Sequence, residues 1–394
     1  MKNLYLLVGA LIFLTGATTL YLPEEAEALP AFARKFGVKC TTCHVQFPKL
    51  NAFGIAFKNR GYRMKGEEGD YIWDSKVFPI AAIGRFGYNL RATETGSGDE
   101  RTNSDTSEIV DGGIELFSGG VLGPRVSYFV DALTVDNLAL VQFDDILPNS
   151  ALNIRTGIYN VDNYYLSHPR RLTESTYLVQ LTGNRADNVT FQNRGVEFNG
   201  QFEESGFRYA LGVGNDTTNN GSGDKFGKHY YFLLNKSVFD SHNISFLFRG
   251  DTIGASNDNA NVDDTADDTF AFGGNVDLHY GNMTIVAGAY RFFGGDSQDF
   301  TEGGKRVDYK ANSGVVEATY EFSEKLLALA RYDWHDTLDS TASEEQYVLS
   351  LQYHLVPNVK LNLEYADQKI NPGGNTNRTE TKDKALRMNV RFGF

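Results

Sequence analysis

The chain has 394 residues, which is long enough for two domains or for one large all-β unit. It contains 28 phenylalanines, 21 tyrosines and 40 glycines, yet its mean hydropathy is only −0.35, as expected when apolar and polar residues alternate. The formal net charge of −13 argues against nucleic acid as a partner, because nucleic-acid binding requires a basic face.

Residues 1–28 predict a secretory signal peptide. Lys2 gives a positively charged start, residues 4–14 form an apolar run, and Ala26-Glu27-Ala28 provides the small residues of a cleavage site. The alternative is an uncleaved membrane anchor, since residues 4–22 are almost long enough to span a bilayer. We expect no other transmembrane helix, because no later window holds 18 apolar residues.

The stretch Cys40-Thr41-Thr42-Cys43-His44 has the spacing at which haem c is attached to a protein. Cys40 and Cys43 are expected to form thioethers with the haem vinyl groups, and His44 to be the proximal ligand of the haem iron. The chain has no other cysteine. A redox dithiol or half of a zinc site is the alternative, but a zinc site would need a second pair of ligands. The motif therefore predicts one covalently bound haem c.

Residues 29–75 form the predicted haem segment. Leu50, Phe53 and Phe57 recur at i, i+3 and i+7, which is one stripe of a short helix that either covers a haem face or packs on protein. Met64 is the candidate distal ligand, and a thioether there would raise the haem potential relative to ligation by two histidines. An open or water-ligated iron is one alternative, and a histidine from the rest of the chain is another: His168, His279, His335 or His354. The segment is too short to bury a haem by itself, so it must lean on something larger.

From Phe78 onward apolar and polar residues alternate, and the pattern resolves into sixteen predicted strands of a barrel domain at 76–394. Short turns alternate with long loops, which are predicted at 92–106, 160–194, 215–228, 252–268, 295–313, 337–344 and 370–383. An even strand number with this alternation is typical of a transmembrane antiparallel β-barrel. A soluble all-β protein is the alternative, but it would not need aromatic residues near its strand ends. Those residues are Phe202, Phe239, Tyr280, Phe292, Phe293, Phe322 and Phe394.

A barrel is expected because a lipid-embedded sheet must close on itself to pair every backbone N–H and C=O group. Sixteen strands leave room for an aqueous lumen. An even number of strands places the N- and C-termini on one side, by the usual topology the periplasm, with the long loops outside. The haem segment then lies at the periplasmic mouth or inside the lumen. The alternation along the strands also places charged side chains of both signs on the inward face, among them Glu197, Arg331, Asp333, Lys360 and Glu364.

Three stretches carry a resemblance to a known family: Leu-Pro-Ala-Phe-Ala-Arg at 29–34, the motif at 40–44, and Phe47-Pro48-x-Leu50-Asn51-x-Phe53-Gly54-x-x-Phe57 with Gly61-Tyr62. Together they resemble the fused monohaem c-type cytochrome–porins of the bacterial outer membrane, of which the best known members serve extracellular Fe(II) oxidation. The resemblance implies a cytochrome that carries electrons across the outer membrane inside a porin. It also implies Cys40, Cys43 and His44 as the haem residues, and it leaves the electron donor open.

The sequence thus predicts an outer-membrane cytochrome–porin that passes single electrons from extracellular Fe²⁺, or another donor, through the haem to a periplasmic c-type cytochrome. Outer-membrane lipid is the expected surrounding. The alternatives are a diffusion porin with a haem-containing plug or gate, and the same conduit run outward to an external acceptor. No P-loop, GxSxG or HExxH motif occurs, so we predict no catalytic residue of a hydrolase or transferase. The one enzymatic activity that the sequence leaves open is oxidation of Fe(II).

Overall fold

The fold is taken from a computed structural model, and it is described for residues 31–65, 71, 79–97, 100–132, 137–161, 166, 171–181, 192–216, 228–239, 242–253, 267–302, 305–338, 342–373 and 379–393. The predicted signal peptide at 1–28 lies outside these residues. The predicted boundary between haem segment and barrel, at 75/76, also lies outside them.

The first described stretch, residues 31–65, consists of short elements, and we call it the plug segment. Helix α1 (Ala31–Phe36) leads to a 3₁₀ turn at Cys40–Thr42, a two-stranded antiparallel hairpin of β1 (His44–Gln46) and β2 (Lys49–Leu50), and helix α2 (Ala52–Asn59). Asn51 caps α2 with its side chain. The helix therefore starts two residues after Leu50, so only Phe53 and Phe57 of the predicted stripe lie on it. Among the described residues, no helix is both long and apolar enough to cross a membrane.

The rest of the described chain forms a closed barrel of sixteen antiparallel strands, as the alternation predicted. The strands are β3 (Ile80–Ser97), β4 (Glu100–Gly123), β5 (Val126–Ala132), β6 (Leu138–Leu147), β7 (Leu152–Asn160), β8 (Gln192–Phe202), β9 (Phe207–Asp216), β10 (Lys228–Val238), β11 (His242–Ile253), β12 (Asp267–Tyr280), β13 (Met283–Glu302), β14 (Lys305–Ser323), β15 (Leu326–Thr337), β16 (Ser343–Val356), β17 (Val359–Asn371) and β18 (Glu380–Gly393). A short helix, α3 (Leu178–Leu181), follows β7. The barrel closes where β18 pairs with β3, from Glu380↔Gly96 to Gly393↔Ile83.

Two of the predicted long loops are strand in their described residues. Residues 92–97 and 100–106 continue the hairpin of β3 and β4, which stays paired to Ser97↔Glu100, and residues 295–302 and 305–313 continue β13 and β14. The first stretch has no apolar alternation, because residues 100–109 are exposed on both faces of the hairpin. Pairing between neighbouring strands satisfies the backbone groups whatever the side chains are, and the threonines in this stretch suit a strand. Polarity was therefore misleading evidence for a loop.

The outer face of the barrel carries the apolar side chains, as predicted for a lipid-facing surface. The predicted strand-end aromatics Phe202, Phe239, Tyr280 and Phe322 are 47–88% exposed. Phe292 is a correction, because it is fully buried inside the barrel. Its neighbour Phe293 has the opposite parity, and one strand can turn only one of two adjacent side chains outward.

The interior contains an apolar core on one side of the lumen. Ile55 of the plug segment, Leu166 and Tyr177 from the chain between β7 and β8, and inward-facing wall residues such as Tyr231 and Phe292 belong to a single buried cluster. Packing from the plug segment to the loop removes water from this part of the lumen. The described interior is thus partly a protein core, where the sequence predicted an aqueous lumen.

Candidate functional site

The plug segment lies inside the end of the barrel where the strands are joined by short turns. Arg34 donates to the carbonyl of Ile80 at the start of β3 (2.9 Å), and the side chains of Gln142 and Asn153 each donate to the carbonyl of Asn59 (3.2 Å). These contacts involve β3, β6 and β7, whereas Lys49 reaches Asp277 of β12, six strands away from β6 in the ring. The plug segment therefore reaches across the mouth.

Charge complementarity accompanies these contacts. The plug segment carries eight basic side chains and no acidic one: Arg34, Lys35, Lys39, Lys49, Lys58, Arg60, Arg63 and Lys65. The wall supplies the acidic partners. Lys49 pairs with Asp277 (3.9 Å), Arg63 with Asp145 (3.0 Å), and Lys65 with Glu203 (2.8 Å). The pair between Lys49 and Asp277 is almost fully buried, so breaking it by removing one partner would leave an uncompensated charge.

The two cysteines lie one 3₁₀ turn apart, where Cys43 N–H donates to the carbonyl of Cys40 (3.1 Å). Both are half-buried, and neither forms a disulfide. Burial raises the pKa of both thiols, and the neighbouring Cys40 raises that of Cys43 further. A redox dithiol requires a thiol whose pKa is lowered, so this environment does not favour the redox alternative.

His44 is oriented by its own hairpin. Its Nδ1 lies 3.2 Å from the carbonyl oxygen of Pro48. A carbonyl can only accept, so Nδ1 carries the proton and the ring's lone pair is on Nε2, which is the nitrogen that ligates a metal in this tautomer. Two thiols and an imidazole in this order fit the donor set of haem c. Within the described residues no group of three or more His, Cys, Asp or Glu side chains is arranged to hold a metal ion.

Asn51 and Gly54 hold the motif in place, a role that the motif spacing alone does not predict. Asn51 donates from its side chain to the carbonyls of Thr41 and Thr42 (3.2 and 3.1 Å) and accepts from Gly54 N–H (2.9 Å). A Cβ on Gly54 would lie 2.1 Å from the carbonyl oxygen of Cys43. An asparagine directly before an apolar helical run, here the run from Ala52, is an N-cap signal, which could have identified Asn51.

The two phenylalanines predicted to pack on haem lie in different surroundings. Phe57 is buried and contacts Phe32, Phe36 and Tyr62 with ring centroids 5.4, 5.5 and 6.0 Å away. Phe53 is 38% exposed and stacks on Phe57 at 6.4 Å. Protein packing thus accounts for the burial of Phe57, and contact of either ring with haem stays a prediction.

Met64 lies at the far end of the plug segment from His44. Its neighbour Arg63 pairs with Asp145 at the end of β6, and its neighbour Lys65 pairs with Glu203 in the turn after β8. The stretch that holds His44 is instead attached to β12 through Lys49 and to β17 through the bond from Lys360 to the Phe47 carbonyl (3.0 Å). The role of Met64 as distal ligand stays a prediction.

Residues 171–181, which we call the inward segment, fold into the lumen from the loop between β7 and β8. Their backbone is held by wall side chains: Glu364 accepts from the N–H groups of Glu174 and Ser175 (2.6 and 2.8 Å). Arg331 donates to the hydroxyl of Thr173 (2.6 Å) and lies over the ring of Tyr177 (4.3 Å). The predicted inward charges Arg331 and Glu364 are therefore engaged with protein. His168 of the same loop lies outside the described residues.

The predicted inward direction of the barrel histidines agrees with their contacts. His279 is bonded at both ring nitrogens, to Asp277 (2.8 Å) and Thr284 (3.1 Å). His335 is buried and bonded to Ser313 toward the long-loop end of β15. His354 lies on β16 opposite Lys360 of β17, next to the plug segment.

Acidification is expected to loosen the attachment of the plug segment at Glu203. Partial burial would raise the pKa of Glu203, but the hydrogen bonds from Lys65 and Arg60 outweigh it and lower the pKa. The stabilisation is therefore present above the unfolded carboxyl pKa of about 4.3 and is lost as the pH falls through the lower folded value. Because the pair is near the surface, Glu203→Gln should cost less than about 1 kcal/mol.

Amide hydrogen exchange of α2 measures this effect. Exchange should be faster in Glu203→Gln than in the wild type at pH 7, and the difference should shrink as the pH falls through the lowered pKa of Glu203. The exposed neighbour Glu204→Gln is the matched control and should exchange as the wild type does. A Glu203→Gln variant with wild-type exchange at pH 7 would show that these pairs do not hold the segment.

The barrel has the fold of bacterial outer-membrane porins. It is similar to an anion-selective porin from Comamonas acidovorans, with a TM-score of 0.56, 13% identity and coverage of 80% of this chain and 99% of that one. It is also similar to the outer membrane channel DcaP of Acinetobacter baumannii, with a TM-score of 0.56, 13% identity and coverage of 80% of this chain and 96% of that one. For OprB of Pseudomonas putida the TM-score is 0.52 and the identity 10%, with coverage of 80% of this chain and 94% of that one. At this identity the likeness concerns the fold alone. The sequence matches no protein-family profile and no curated protein.

The fold and the site together define a class: a porin-type barrel of sixteen strands that carries a CxxCH-bearing plug segment in its short-turn end. A closed barrel with an apolar outer face satisfies every backbone group within lipid. This fold implies a place in the bacterial outer membrane.

Proposed function

We propose that this protein is an outer-membrane cytochrome–porin that moves single electrons between the two sides of the membrane. The observation that carries the proposal is the arrangement of Cys40, Cys43 and His44 on the plug segment, inside the mouth of a barrel. Haem c, when bound, supplies one-electron redox chemistry. Cys40 and Cys43 would bind it covalently, and His44 Nε2 would ligate its iron.

The overall reaction that we propose is the oxidation of one external Fe²⁺ ion to Fe³⁺ and the one-electron reduction of a periplasmic c-type cytochrome. The short-turn end is the periplasmic side in the usual topology of such barrels, with both termini there. A plug segment at that end would be within reach of a soluble periplasmic partner. The chain's own contribution is to hold and orient the ligands and to exclude water.

The apolar core that joins the plug segment to the inward segment supports an insulated interior more than an open channel. Ile55 of α2 and Tyr177 of the inward segment belong to the same buried cluster. Buried apolar surroundings lower the local dielectric, which is one of the means by which proteins tune a haem. Free diffusion of solutes would require this core to open.

The porin fold favours one second candidate, a diffusion porin in which the plug segment acts as a gate. The same arrangement could also pass electrons outward to an external acceptor. That function would need a haem potential different from the one that suits electron uptake from Fe²⁺. The outward direction predicts a different result in the Fe²⁺ experiment described next, and the diffusion porin predicts ion conductance.

The test is to purify the protein after haem maturation and to mix its oxidised form with Fe²⁺ without oxygen while recording the α-band. Rapid reduction that is lost in His44→Ala and retained in His242→Ala would support the proposal. His242 is a suitable control because it lies at the same end of the barrel but outside the motif.

Three results would contradict the proposal in different ways. Protein without covalent haem would overturn it entirely. Haem that dithionite reduces and Fe²⁺ does not would exclude Fe²⁺ as donor and favour the outward direction. Stable ion conductance through the wild-type protein in planar bilayers, unchanged by the redox state, would favour the diffusion porin.

A further inference from the structure

His354 has a buried ring nitrogen that calls for an explanation. Its Nε2 is inaccessible to solvent and has no hydrogen-bond partner among the described residues. A buried polar nitrogen without a partner is costly in a folded protein, so it calls for a group that would satisfy it, such as a bound cofactor. A neutral imidazole nitrogen is also a common metal ligand.

His354 lies at the level of the haem motif. On the barrel wall it is the cross-strand partner of Lys360, and it is two residues from the end of β16. Lys360 Nζ donates to the carbonyl of Phe47 (3.0 Å), and the Phe47 ring lies 5.4 Å from the ring of His44. Both His354 and Lys360 point inward, so the side of the plug segment that carries His44 faces this part of the wall.

Met64 lies on another part of the ring. Its neighbours are attached to β6 and to the turn after β8, whereas the His44 stretch is attached to β12 and β17. In the order of the barrel β6 is five strands from β17, and β8 is four strands from β12. Neighbouring strands are about 4.8 Å apart, so roughly 19–24 Å of wall separates the two sets of attachments.

The other two described histidines that the sequence predicts as candidate ligands, His279 and His335, are less suitable. Both ring nitrogens of one are hydrogen-bonded, and the other lies farther from the haem motif. His279 is bonded at both ring nitrogens, and His335 lies toward the long-loop end of its strand. His354 differs from both, because its Nε2 has no hydrogen-bond partner among the described residues and because it is the cross-strand partner of Lys360.

We propose that His354 is the distal axial ligand, so that the iron is held by one histidine of the plug segment and one histidine of the barrel wall. The proposal rests on the haem binding proposed above. It makes the barrel part of the redox centre, because the second ligand comes from a strand that lies 310 positions after His44 in the sequence. It also implies that the haem segment alone would lack this ligand.

The test is the spin state of the iron in the purified, oxidised, full-length protein, measured by absorption and electron paramagnetic resonance. The wild type should be low-spin and six-coordinate, and His354→Ala should be high-spin, with the low-spin spectrum restored by added imidazole. His354→Met should remain low-spin with a higher reduction potential, since a thioether raises the potential. His335→Ala, which also removes an inward histidine from the wall, and Met64→Leu should keep the wild-type spectrum.

The outcomes separate the two proposals. A low-spin His354→Ala protein, or a high-spin wild type, would overturn His354 as the ligand while leaving haem binding intact. Loss of the low-spin signal in Met64→Leu would assign the ligand to Met64 instead. A wild-type protein without covalent haem would overturn the proposed function and this inference together. Imidazole rescue separates a missing ligand from a misfolded barrel, because added imidazole cannot refold one.

Discussion

Replacing Gly54 by alanine is expected to reduce covalent haem attachment several-fold. The added Cβ would lie 2.1 Å from the carbonyl oxygen of Cys43, and that atom belongs to the backbone, so no change of rotamer relieves the overlap. Helix α2 and the cysteine turn must then move apart, at a cost of about 1–3 kcal/mol. The movement also disturbs the bonds by which Asn51 holds Thr41 and Thr42. Haem staining and the mass of the purified protein measure the loss.

Gly37→Ala is the matched control for Gly54→Ala. Gly37 lies in the same plug segment at φ +63°, but a Cβ there meets nothing within 4 Å. The substitution costs only the backbone strain of about 1–2 kcal/mol and should leave haem attachment nearly unchanged. Equal haem content in Gly54→Ala and the wild type would show that the contact between α2 and the cysteine turn does not control attachment.

Replacing Arg331 by methionine is expected to destabilise the barrel by about 3–5 kcal/mol, since removal of one partner leaves a buried charge without its counter-ion. Arg331 lies 2.9 Å from Asp333, and both side chains are inaccessible to solvent. It also holds the inward segment through Thr173 and through the carbonyl of Ser175 (3.0 Å). The inward segment should therefore be released, and ion conductance in planar bilayers should rise. Unfolding in guanidinium, followed by the mobility of the folded barrel on gels, measures the stability.

Two variants test the cause of the Arg331 effect. The double variant Arg331→Met with Asp333→Leu removes both charges and should recover much of the stability, but its conductance should stay high because the inward segment is still unclamped. Arg194→Met changes an exposed arginine of β8 and should alter neither property. A single variant with wild-type stability and conductance would mean that other residues hold the inward segment.

The barrel could be predicted from sequence because its two faces meet different media. Lipid outside and protein or water inside impose a period of two on every strand, as in β18, where Leu386 and Met388 alternate with Arg387 and Asn389. The rule that strands alternate with a period of two failed for the part of the wall that does not separate lipid from the barrel interior. The stretch 92–106 lacks the alternation, which predicts a loop, although its described residues 92–97 and 100–106 are paired strand.

The ligand set of the candidate site was predicted because its spacing is local. Cys40, Cys43 and His44 are close in sequence, so their proximity needs no tertiary structure. The residues that hold them were harder to recognise. The role of Gly54 depends on a close approach of backbone to backbone, and the role of Lys360 depends on a contact between residues that are 313 positions apart.

By itself, the sequence determined the class of fold, the number of strands and the position of the CxxCH motif, because periodicity and spacing are properties of neighbouring residues. Only the tertiary structure decided how the lumen is filled, since that depends on which distant side chains meet inside a closed ring. It turned Phe292 inward, joined Ile55 to Tyr177 in one core, and brought the plug segment to the wall beside His354. The direction of Phe292 follows from the alternation of side chains along β13, and the other two contacts follow from closure of the sheet, which surrounds the plug segment and the inward segment with strands from distant parts of the chain.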